Sequence, residues 1–70
     1  MDVKAAMTGM AWQHCVQVGQ RIEEGKDILT MEIMKTEVPV LAPVAGVITW
    51  IIKPGENIKR GEVVARIEEE

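Results

Sequence analysis

Residues 27–38 read Asp27-Ile28-Leu29-Thr30-Met31-Glu32-Ile33-Met34-Lys35-Thr36-Glu37-Val38, and the architecture of the chain turns on how this stretch folds. It contains no glycine or proline, opens on an aspartate suited to cap a helix, and spaces Ile28, Met31 and Leu29, Ile33 at helical intervals. The same residues also read as a strand, because a short apolar run does not distinguish the two. Local propensity leaves the choice open.

An internal repeat closes it. A shift of 55 − 19 = 36 positions places Gly19 on Gly55, Ile22 on Ile58, Gly25 on Gly61, Glu32 on Glu68 and Ala6 on Ala42 without a gap. Apolar positions follow: Ala11 falls on Val47, Trp12 on Ile48, Val16 on Ile52, Ile28 on Val64 and Met31 on Ile67. Two half-domains of one pattern therefore build the chain, each an apolar run, Gly-x-x-Ile-x-x-Gly, and a second apolar run. The second copy is β-like, with Val63, Ala65 and Ile67 on one face and Val64 and Arg66 on the other. Its partner, Leu29 to Ile33, is then expected to be a strand. Val44 to Ile52, ending before Lys53-Pro54-Gly55, reads as another strand, and the remaining glycines and prolines punctuate an all-β barrel or sandwich.

If Leu29 to Ile33 and Thr36 to Val40 pair antiparallel, Met34 and Lys35 are the two turn residues of a tight hairpin. Asn-Gly or Asp-Gly is the usual choice there, since both positions need positive φ. A Met-Lys turn implies that a demand on the side chains overrides local preference. The bland alternative is a solvated surface lysine on a looser turn. The repeat adds that the middle loop is equivalent to the chain ends, because Lys35 shifted by 36 falls at 71. That equivalence places the Met34-Lys35 tip and the termini at opposite ends of the domain.

Composition narrows the function classes. Seventy residues are expected to form one domain, 1–70, with a small core. The net charge of −3 argues against nucleic acid or an anionic membrane as the main partner. Apolar runs are far shorter than a membrane-spanning helix needs, and the start does not resemble a signal peptide. A single cysteine, Cys15, excludes an internal disulfide and a multi-cysteine zinc site, and a cytoplasmic setting is expected. With one histidine and no serine or tyrosine, no Ser/His/Asp triad can be assembled. The expectation is a module that is acted upon, with no catalytic residue and no metal.

The segment Glu32-Ile33-Met34-Lys35-Thr36-Glu37, with Gly19 and Gly25 before it, Ala42-Pro43-Val44-Ala45-Gly46 after it and Pro54 to Gly61 near the end, resembles the biotinyl/lipoyl attachment domain over nearly the whole chain. The resemblance implies a flattened β-barrel or sandwich of two four-stranded antiparallel sheets related by a pseudo-twofold axis. The gapless repeat leaves no room for the "thumb" insertion of some bacterial carriers. The resemblance also implies that Lys35 is the covalent acceptor, with Met34 and Glu32 read by a ligase. Ile33 and Thr36 depart from the biotin-carrier pattern, where a small residue and a methionine flank the Met-Lys pair. Lipoyl domains carry Asp before the lysine, so Met34 favours biotin, with lipoate as the alternative or a second load. The implied partners are a biotin protein ligase, a biotin carboxylase and a carboxyltransferase, with a lipoate ligase for the alternative. An unmodified β-barrel interaction module is the reading from another class.

The remaining residues have plainer expectations. His14 and Cys15 are neighbours on a strand, point to opposite faces and have no further ligands, so both are read as structural. Trp12 and Trp50 are expected in core or edge packing, Met34 as the one exposed methionine, and Glu68-Glu69-Glu70 as a solvated end blunting an edge strand.

Overall fold

The computed structural model describes residues 1–69 and is all-β among them. Eight strands follow in order: β1 (Asp2–Lys4), β2 (Gly9–His14), β3 (Arg21–Ile22), β4 (Asp27–Ile33), β5 (Thr36–Leu41), β6 (Gly46–Ile51), β7 (Asn57–Ile58) and β8 (Val63–Glu69). They form two four-stranded antiparallel sheets, ordered β1-β8-β6-β3 and β5-β4-β2-β7. The stretch that reads as helix or strand is a strand, a two-residue turn and the start of another strand. Its helical spacing is overridden because Ile28, Leu29 and Met31 are all buried between the sheets.

Each sheet mirrors the other. β4 pairs with β5 as β8 pairs with β1, and β2 pairs with β4 as β6 pairs with β8. The turn between β4 and β5 thus corresponds to the place where the chain begins and ends. The core draws on both halves, with Ile22, Ile28, Leu29 and Met31 from the first and Ile48, Ile58, Val64 and Ile67 from the second.

The repeat is not gapless, however. From Gly19 onward the shift is 36: β3 and β4 fall on β7 and β8. Before Gly19 it is 37. Cys15 N donates to Ile28 O as Ile52 N donates to Val64 O, and Ala5 N donates to Glu62 O as Ala42 N donates to Lys26 O. Gly9 and Gly46 occupy the same place, each pressed against a carbonyl of the neighbouring strand, of Glu32 and Glu68 respectively. One extra residue lies in the β2–β3 loop, which spans 15–20 where the β6–β7 loop spans 52–56. A loop absorbs such an insertion without disturbing a ladder, so the glycines on its far side keep their spacing. Ala5 on Ala42, Gly9 on Gly46 and Val3 on Val40 are identities at a shift of 37 and were the available sequence signal. A single added residue still leaves no thumb.

Four further expectations change. Val64 faces inward and is buried alongside Ala65, because the β1–β8 register slips between Val3 and Lys4 and skips it. Such a bulge lets two consecutive side chains face the core, and Ile28 with Leu29 repeats it in β4. Glu68 and Glu69 are exposed, yet their strand β8 is an inner strand between β1 and β6. Glu70 lies outside the described residues. Trp12 and Trp50 are 47% and 41% exposed, on outward positions, with the Arg66 guanidinium 5.8 Å from the Trp50 ring centroid. Met1 and Met7 are exposed as well as Met34.

Candidate functional site

The β4–β5 hairpin positions the site. Ile33 faces Thr36 across the strands and Glu32 faces Glu37, which leaves Met34 and Lys35 alone in the connection. Both have positive φ, 49° and 66°, as a type I′ turn requires. The right-handed twist of the paired strands selects this turn, and the tertiary register enforces it on two residues that do not favour it. Left-handed geometry costs an L-residue roughly 1–2 kcal/mol. Replacing Met34-Lys35 with Asn-Gly is therefore expected to raise stability by about 1–2 kcal/mol, read as a higher urea midpoint with an unchanged m-value. An equal or lower midpoint would show that the turn stores no strain.

What the strained turn achieves is presentation. Met34 is 93% exposed, and Lys35 and Thr36 stand in solvent beside it. Among the described residues no ion pair or hydrogen bond holds the Lys35 ammonium. Beneath the apex the hairpin is anchored: Ile33 packs against the core and Met31 lies within it. The pairing Glu32–Glu37 puts two carboxylates on one face just below the lysine, with Met10 of β2 beside Glu32. Like charges directly opposite are unfavourable for the sheet, so this acidic step also runs against local stability. A primary amine at the apex of a two-residue turn, free of partners and carried on a packed hairpin, is a suitable anchor for an acyl group.

A family described as biotin-requiring enzyme, of the biotin/lipoyl type, matches residues 1–68. The chain belongs to the biotin/lipoyl family. It is 31% identical over 68 residues to the biotin/lipoyl attachment protein of Bacillus subtilis, covering 96% of this chain and 93% of that one. It is 39% identical over 70 residues to the dihydrolipoyllysine-residue acetyltransferase component of the Mycoplasma capricolum pyruvate dehydrogenase complex, covering 97% of this chain but 16% of that protein. Among solved structures it superposes on Kluyveromyces lactis urea carboxylase with a TM-score of 0.92 at 32% identity, over 97% of this chain and 6% of that one. As in the family, the chain is a carrier domain and two four-stranded sheets build it.

The structure brings Glu32, Met34 and Lys35 together on one hairpin and adds Glu37, which sequence reading noted only as a neighbour. Its cue was the register: once Met34-Lys35 is a two-residue turn, Glu32 and Glu37 must face each other. His14 and Cys15 lie away from this hairpin tip, near the opposite end of β2. His14 Nε2 is 2.6 Å from Ile52 O, and Cys15 Sγ is exposed, 3.8 Å from Thr30 Oγ1. The imidazole thus ties β2 to the end of β6, a structural role. Cys15, read from the sequence as structural, is an exposed free thiol.

Proposed function

We propose that Lys35 of this carrier domain is acylated with biotin by a biotin protein ligase, and that the domain carries carboxylate between a biotin carboxylase and a carboxyltransferase in the cytoplasm. The observation that carries this reading is the strained Met34-Lys35 apex, which offers a lone exposed amine on a rigid hairpin. The ligase forms an amide between Nζ and the acyl carbonyl carbon of an acyl-adenylate; AMP leaves and the amine gives up a proton. The bound cofactor supplies a ureido ring that accepts and releases the carboxylate. This chain supplies the tether, which keeps that ring near successive active sites at an effective concentration in the millimolar range. Met34, directly before the lysine and almost wholly exposed, and Glu32 below it are the groups for a ligase to read.

Similarity to a dihydrolipoyllysine-residue acetyltransferase favours lipoate as the second reading. Incubating the folded protein with ATP and either biotin plus biotin protein ligase or lipoate plus lipoate ligase, followed by intact mass and peptide mapping, separates the two. Biotin is expected on the peptide holding Lys35, at the higher rate. Faster loading with lipoate would reverse the assignment, and no loading by either would leave an interaction module.

A further inference from the structure

An apolar cavity of about 410 Å³ opens on the flank of the barrel where the outer strand of one sheet meets the outer strand of the other. β1 and β5 border it, and each pairs on one side only, so free main-chain edges run along it. Val3 and Val40, equivalent through the repeat, both line it, Met7 from the β1–β2 loop and Leu41 add apolar wall, and Ile33 and Val38 line the end nearest the Met34-Lys35 turn. Its size falls in the range of small-molecule sites. Polar edges above an apolar floor suit a ring that carries a few hydrogen-bonding groups on a hydrocarbon chain.

We propose that this groove is a seat on the carrier itself for the ring end of the acyl arm borne by Lys35, so that the arm alternates between a docked and an extended state. The inference rests on the reading that Lys35 is acylated. Arm length and origin point to this occupant. The lysyl side chain and a five-carbon acyl tail together span about ten bonds, or roughly 12 Å extended. Val38 lies three residues along β5 from Lys35, about 10 Å away, and Val40 about 17 Å. A ring tethered at the turn therefore reaches the Val38 end of the groove. Tethering holds it there at millimolar effective concentration, which lets even a weak seat be occupied. Burial of the ring against Met7 and Val38 follows from the hydrophobic effect, and the docked state shields the cargo from water between visits.

The test installs the arm without any ligase. In a Cys15→Ala, Lys35→Cys variant, an iodoacetamide derivative of biotin with a spacer matched to the lysyl arm is attached to the one thiol, and amide shifts are compared before and after. Shifts are expected at Met7 and Val38, beyond the turn, with through-space contacts from ring protons to the Met7 and Val38 methyls. Adding Met7→Lys is expected to remove at least half of the groove shifts with the rest of the spectrum unchanged, whereas Val18→Lys, at an exposed position outside the groove, leaves them. Shifts confined to residues 33–37 would overturn the proposal by leaving the arm in solvent. Groove shifts that instead grow with protein concentration in the unlabelled chain would assign the groove to a second copy and overturn it as well. Failure of both ligases to load the wild-type protein would sink the functional reading by itself, while this arm still reports on the seat.

Discussion

Lys35→Arg is expected to fold as the wild type does and to accept neither biotin nor lipoate, a loss of at least a hundredfold in loading rate. The substitution keeps a long cationic side chain at an exposed turn position with φ of 66°, so the backbone cost and the surroundings hardly change. What changes is the nucleophile. A lysine amine can be deprotonated by the ligase and attack the acyl carbon, whereas the arginine guanidinium stays protonated and delocalised at any pH a protein tolerates. Intact mass after ligase treatment and a thermal melt read the two halves of this expectation. Residual label on the arginine variant would move the acceptor to another lysine; a collapsed melt would mean that Lys35 holds the hairpin rather than merely standing on it.

Gly46→Ala is expected to cost about 3 kcal/mol, a substantial part of the roughly 3.5–10 kcal/mol that a chain of this length commands. A methyl group there would collide with the Glu68 carbonyl oxygen and lie 2.7 Å from Ile67 Cγ2. The oxygen belongs to the backbone of inner strand β8, so no rotamer change relieves the clash, and β6 must pull away from β8. Gly9→Ala meets the Glu32 carbonyl at 2.7 Å and should behave alike. Gly55→Ala meets open space, and only its φ of 89° resists, so a cost of about 1–2 kcal/mol is expected there. Urea midpoints of the three variants rank the effects. An equal cost at Gly46 and Gly55 would show that conformational freedom, not the close approach of two strands, is what these glycines provide.

These two experiments probe the parts of the molecule that were and were not legible beforehand. The hairpin was legible. Glycines in register between the halves identify 29–33 as strand through its better-marked partner, and a strand on either side of Met34-Lys35 leaves only two residues for the turn. The lysine and its neighbours then resemble the attachment motif of a carrier domain, and the chain belongs to that family. The exact superposition of the halves was not legible. A loop insertion between Cys15 and Gly19 moves the register by one, and apolar residues are so frequent in β2 and β6 that a wrong shift still pairs them plausibly. Gly9 and Gly46 betray the right shift, but their meaning depends on the carbonyl that each one meets.

The two-part plan, the strands that flank the turn and the position of Lys35 at its apex can be read along the chain, because repeats, punctuation and turn length are patterns of residue order. Packing of the folded chain sets the rest: Met34 and Lys35 take left-handed conformations, Val64 turns inward with Ala65, both tryptophans stay outside, and β1 and β5 border an open groove. Each of these follows from how two twisted sheets close against each other. Packing selects among backbone states that differ by one or two kcal/mol, an amount too small for local sequence preference to settle.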